Sequence, residues 1–93
     1  MKPLDEAALT AAMTSLDGWS LEDDSLTKTF DCGDFRKAMA FLVRVAFEAE
    51  QRNHHPEVFN VYKTVQITLR THDAGDKVTQ ADVDLARAID TLA

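Results

Sequence analysis

Leu9, Ala12, Met13 and Leu16 recur at the spacing of one helix face, with Asp5 as a candidate N-cap and Leu4 and Leu9 as a hydrophobic staple. A first helix is expected over residues 5–16, stopped by Gly18. Trp19-Ser20-Leu21-Glu22 and Leu26-Thr27-Lys28-Thr29-Phe30 then alternate apolar with polar around Asp23-Asp24-Ser25, which reads as a hairpin. From Asp34 to about Arg52 no Gly or Pro interrupts a run of good helix formers, giving a long helix over residues 34–52. Pro56 disfavours helical backbone at the residue before it, so Asn53-His54-His55-Pro56 ends that helix. Phe59, Val61, Tyr62 and then residues 65–72 read as a second hairpin turning near Tyr62-Lys63-Thr64. Strict alternation sends Val65, Ile67 and Leu69 to the core, and Gln66, Thr68, Arg70 and His72 to the other face, with His72 at the strand end. After a loop over residues 73–77, Thr79 is an N-cap with Asp82 at N3, a capping box, and a third helix runs to the C-terminus on an apolar stripe of Leu85, Ala86, Ile89 and Leu92.

The order α-β-β-α-β-β-α is an α+β pattern: a four-stranded antiparallel sheet with three helices packed on one face. Ninety-three residues allow one domain, residues 1–93. The long helix is apolar on more than one side (Phe35, Ala38, Met39, Phe41, Leu42, Val43, Val45, Ala46, Phe47), more than one sheet can bury. A second copy of the chain is the expected cover, making a homo-oligomer through helix 34–52.

Ten Lys and Arg against sixteen Asp and Glu leave a net charge of −6, which argues against direct nucleic-acid binding. No apolar run approaches the roughly 18 to 20 residues of a bilayer span, so no membrane is expected. A single cysteine, Cys32, and an N-terminus without a signal-peptide pattern make a cytoplasmic setting the expectation.

All three histidines lie between His54 and His72, bracketing the second hairpin. Imidazole holds and releases protons near neutral pH, so this cluster reads as a general acid and base site. Phe35, Met39, Leu42, Ala46 and Glu50 share a helical stripe that delivers Glu50 beside the loop of His54, near the histidines. The plain readings stand beside this one: Glu50 solvating a helix end, His54 and His55 as an exposed turn before proline, His72 as a solvent-facing strand residue. Metal binding is disfavoured by the spacing, since adjacent His54 and His55 rarely aim at one ion and no H-x-H or H-x-x-x-H pair is present. Cys32 has no adjacent cation in sequence and reads as a structural thiol. Asp82 is accounted for by the capping box alone.

Glu50-x-x-x-His54-His55-Pro56-x-x-x-x-x-Tyr62, nine residues to His72, and a Thr-x-x-Asp helix start together resemble the pterin-4a-carbinolamine dehydratase family. Gly18-Trp19, Asp34-Phe35, Asn60-Val61-Tyr62 and Ile67-Thr68-Leu69-x-Thr71-His72-Asp73 carry the same likeness, which spans about Leu9 to Leu92. The resemblance implies a hydro-lyase that removes water from 4a-hydroxytetrahydropterin to give quinonoid dihydropterin, in recycling of the tetrahydropterin used by aromatic amino acid hydroxylases. Pterin is then the substrate, and no cofactor or metal is implied. His54 and His72 would be the acid–base pair, with His55 also catalytic and orienting the ring. Glu50, His55, Pro56 and Asp82 would be substrate-binding, with Asp82 one layer behind at the start of the third helix. Dimers or tetramers through the long helix are implied, with a hydroxylase as a pathway partner. The chain departs from the common pattern at Val58, where many relatives are bulkier, and in the loop Asp73-Ala74-Gly75-Asp76-Lys77-Val78, which is one residue longer and lacks a second glycine. The reading from another class is a non-catalytic assembly protein that uses the apolar surface of the long helix.

Overall fold

The computed structural model describes residues 1–93. Its elements are α1 (Glu6–Met13), β1 (Ser20–Glu22), β2 (Ser25–Asp31), α2 (Phe35–Gln51), β3 (Glu57–Val61), β4 (Thr64–Leu69), a 3-10 turn (His72–Ala74) and α3 (Gln80–Leu92). The four strands form one antiparallel sheet in the order β1-β2-β4-β3. This is the expected α+β architecture.

Register explains why one face is dry. Leu26, Lys28 and Phe30 of β2 lie opposite Leu69, Ile67 and Val65 of β4, and Val58 and Asn60 of β3 lie opposite Ile67 and Val65. Leu26, Phe30, Val65, Ile67 and Leu69 are buried in one cluster with Ala38, Phe41 and Val45 of α2 and Val83, Leu85, Ala86 and Ile89 of α3. On the opposite face Thr29, Gln66 and Phe59 remain exposed. Burial of the 38/41/45/49 stripe leaves Val43 and Phe47 pointing away, and Phe47 is 75% exposed. No helix is long and apolar enough to cross a membrane.

Local chemistry sets the element ends. Asp5 caps α1 by accepting from the Ala8 amide at 2.8 Å, and Asp34 caps α2 by accepting from Lys37 N at 2.8 Å. The first hairpin turns through Asp23 and Asp24, both at positive φ (50° and 61°), the geometry of a two-residue turn that Asp tolerates.

Two boundaries differ from expectation. α1 stops at Met13 and not at residue 16, because the Thr14 and Ser15 hydroxyls donate to the carbonyls of Ala11 and Ala12 while Leu16 turns into the core. The last strand ends at Leu69, so His72 does not sit on a strand. The Ala74 and Asp76 amides both donate to Thr71 O, at 3.1 Å each, and Thr71 N donates to Lys77 O at 2.9 Å. These bonds curl the backbone away from the ladder, and His72 opens a 3-10 turn.

Candidate active site

The first two imidazoles are delivered by the way α2 ends. Asn53 takes the left-handed conformation (φ 50°), and its amide donates to Glu50 O while the His54 amide donates to Ala49 O, both at 3.0 Å. This is a Schellman closure, in which two terminal carbonyls are satisfied and the chain reverses over the helix end. Pro56 then holds His55 out of the helical region. The third imidazole arrives from the turn after β4.

His54, His55 and His72 line one cavity of about 270 Å³ together with Asn53, Arg70, Thr71 and Asp73. None of these seven side chains is hydrophobic, and the volume suits a small heterocycle rather than a drug-sized ligand, for which roughly 300 to 1,000 Å³ is usual. Glu50 and Pro56 do not line this cavity. They line an apolar recess of about 230 Å³ with Leu42, Val45, Ala46, Ala49 and Val58, and His55 forms a wall of both.

Each imidazole faces its own carboxylate. His54 Nε2 is 2.5 Å from Asp82 Oδ1, His55 Nε2 is 2.8 Å from Glu50 Oε1, and His72 Nδ1 is 2.7 Å from Asp76 Oδ1. An ionised carboxylate only accepts, so the ring nitrogen that meets it carries hydrogen whether the ring is neutral or charged. The nitrogens left to exchange a proton are Nδ1 of His54, Nδ1 of His55 and Nε2 of His72. The three pairs differ in setting: His54 is mostly enclosed, His55 is half-exposed, and the His72 side chain is 91% exposed.

Asp82 has no exposed surface. Oδ1 accepts from His54, and Oδ2 accepts from the Thr71 hydroxyl at 2.8 Å and from the Thr79 amide at 2.9 Å. Thr71 Oγ1 lies 2.7 Å from Thr79 Oγ1; the Thr71 hydrogen is already given to Asp82, so the Thr79 hydroxyl is the donor. The same carboxylate thus completes the capping box of α3 and holds the His54 ring. It was expected among the substrate-binding residues; its enclosure means that it meets the cavity only through the side chains it holds, His54 and Thr71.

Arg70, Asn53, Thr71 and Asp73 were not singled out from the sequence. Arg70 was legible in part, because the alternation that sends it to the polar face also puts it two residues before His72. Its Nε lies 2.8 Å from Glu57 Oε2, but off hydrogen-bond alignment, so the Nε–H is left without a hydrogen-bond acceptor in the wall of the cavity. Thr71 and Asp73 depend on the curl after Leu69, which no periodicity foretells.

Cys32 lies elsewhere, in a recess with Phe30, Asp31, Lys37, Ala40, Phe41 and Arg44. Burial pushes its thiol above the usual range, Asp31 adds to the rise, and Arg44 opposes it. Iodoacetamide at pH 8 is therefore expected to alkylate Cys32 more slowly than a free thiol, and Asp31→Asn is expected to speed the reaction. Equal rates for the folded protein and a small thiol would remove this account.

The class of protein follows from its likeness to known sequences and structures. The family model for pterin 4 alpha carbinolamine dehydratase matches residues 2–92, and the chain belongs to that family. A protein of Opitutus terrae named "Putative pterin-4-alpha-carbinolamine dehydratase" is 52% identical over 89 residues, covering 96% of this chain and 92% of that one. A Bradyrhizobium protein of the same name is 47% identical over 92 residues, covering 97% and 91%. Among solved structures, a transcriptional coactivator/pterin dehydratase from Brucella melitensis superposes with a TM-score of 0.94 at 37% identity, covering 99% of both chains. A pterin dehydratase-like protein described as a RuBisCO assembly factor in the alpha-carboxysome gives 0.67 at 26% identity, covering 81% of this chain and 86% of that one.

Proposed function

We propose that the chain catalyses dehydration of 4a-hydroxytetrahydropterin to quinonoid dihydropterin, as a hydro-lyase of tetrahydropterin recycling in the cytoplasm. The observation that carries this reading is a single polar cavity walled by three imidazoles, each held by its own carboxylate. Dehydration needs a proton for the departing 4a hydroxyl and an acceptor for the N5 proton, so that the N5 electrons form the new double bond to C4a. His54, through Nδ1, and His72, through Nε2, are the acid–base pair, and His55 orients the ring while its Nδ1 remains free to share a proton. Glu50 holds His55, and Pro56 fixes the approach of the chain. Asp82 acts on the substrate by positioning His54, and holds the cavity-lining Thr71 as well. The pterin is the substrate, and the chemistry calls for no further group.

Stopped-flow absorbance of synthetic 4a-hydroxytetrahydropterin at neutral pH tests this. Decay is expected to accelerate in proportion to protein concentration; decay at the uncatalysed rate with folded protein at micromolar concentration would end the dehydratase reading.

A second reading is favoured by one observation: Val43 and Phe47 project from α2 with no cover within the chain, and a relative of this fold is described as an assembly factor. Here the chain forms dimers or tetramers through α2, or uses that surface to assemble a partner. An aromatic amino acid hydroxylase is the pathway partner under the first reading. Light scattering separates the possibilities, since a monomer at micromolar concentration would leave the α2 surface free for a partner other than itself.

A further inference from the structure

His54 takes its carboxylate from a helix start and His55 from a helix end, but His72 takes its own from the loop. His72 Nδ1 lies 2.7 Å from Asp76 Oδ1, and no other side-chain hydrogen bond reaches this ring. With 91% of the side chain exposed, packing does not fix the ring either.

The backbone at Asp76 is left-handed, φ 61°, immediately after Gly75 at φ 75°. Glycine adopts this conformation without steric cost, and Asp is among the few other residues that tolerate it. From this left-handed position the Asp76 carboxylate reaches His72. The loop is pinned at both ends. Thr71 N donates to Lys77 O, Asp76 N donates to Thr71 O, and Lys77 Nζ reaches Asp24 Oδ2 at 3.0 Å. The other charged or titratable groups around the cavity are Arg70 from the end of β4, Asp73 on the same turn, and His54 and His55 beyond α2.

We propose that Asp76 is a positioning residue for His72. By accepting from Nδ1–H it holds the ring in the tautomer whose Nε2 lone pair is available to the cavity, and makes Nε2 the only nitrogen that exchanges a proton. The effect on turnover rests on the dehydratase reading above; the tautomer does not.

Two variants separate position from fold. Asp76→Gly keeps the left-handed backbone and removes the carboxylate, while Asp76→Asn keeps an accepting oxygen. Two-bond nitrogen–proton correlation spectra, taken at about two pH units above the ordinary imidazole value of roughly 6.5, report which nitrogen of each neutral ring carries hydrogen. In the unsubstituted protein His72 is expected to carry it on Nδ1. In Asp76→Gly it is expected to revert mainly to the ordinarily favoured Nε2–H form, with a melting temperature that does not fall. In Asp76→Asn the Nδ1–H form is expected to persist. Turnover, kcat/KM, is expected to drop about fivefold in Asp76→Gly, the modest size expected of an exposed pair, and to recover in Asp76→Asn. An Nε2–H ring in the unsubstituted protein, or a tautomer unmoved by Asp76→Gly, overturns the proposal. So does a moved tautomer with unchanged kcat/KM. If the unsubstituted protein shows no turnover but the tautomer moves as described, the positioning stands and the dehydratase reading is what fails.

Discussion

Asp82→Ala is expected to cost about 3 to 5 kcal/mol of folding free energy, because it strands the Thr79 amide, the Thr71 hydroxyl and the His54 ring N–H around a carboxylate that has no exposed surface. A domain of this size holds only about 5 to 15 kcal/mol in reserve, so the variant sits close to global unfolding. Asp82→Asn isolates the chemical part of the loss. Its single carbonyl oxygen can serve the Thr71 and Thr79 donors, and its NH2 then faces His54 Nε2 and requires that nitrogen to accept. The His54 proton moves to Nδ1, the nitrogen that would serve the cavity, and the ring can no longer take a proton there. Urea denaturation is expected to show a loss of about 1 to 3 kcal/mol for Asp82→Asn, and turnover is expected to fall about a hundredfold or more. Near-normal values in both measurements would mean that the network contributes neither stability nor chemistry.

The second large effect concerns the imidazoles themselves. General acid–base catalysis by one positioned group is usually worth about 10²- to 10⁴-fold, so His54→Ala and His72→Ala are each expected to reduce turnover within that range. Because the two groups act as a unit in one elimination, the double variant is expected to be little worse than the more damaged single variant, not the product of the two. His55→Ala is expected to raise KM more than it lowers kcat, as befits a ring that chiefly orients the ligand. His54→Ala also leaves Asp82 with one donor fewer, so its stability must be measured beside its rate. A double variant that decays substrate at the unsubstituted rate would remove the histidines from the mechanism.

Much of the fold was readable because burial writes itself into spacing. The 65/67/69 alternation of β4 is the strand period imposed by the core, and the apolar surplus of α2 announced a buried helix, although which of its faces, 38/41/45/49, meets the core was not marked. The capping box Thr79–Asp82 was legible too, since it is a local bond between residues three apart. What escaped the sequence is what depends on closure in space. Nothing near Asp82 says that its second oxygen meets an imaidazole twenty-eight residues earlier. The curl that takes His72 off the strand comes from carbonyl and amide pairings of Thr71 across the loop, and these bring Thr71 and Asp73 to the same wall as His54. The early end of α1 was hidden for another reason: hydroxyls of Thr14 and Ser15 bond back to the helix they follow, which hydrophobic spacing does not register.

One consequence of the three imidazole–carboxylate pairs concerns selectivity by charge. Each ring that gains a proton does so against a formal negative charge already beside it, and the Arg70 cation has Glu57 as a neighbour. Asp73, which enters no ion pair, is the surplus, so the cavity carries no spare cation to grip a phosphate tail. A chain with a net charge of −6 adds a repulsive far field. Under the dehydratase reading, an uncharged bicyclic ring is therefore expected to bind in preference to a phosphorylated nucleotide of the same width.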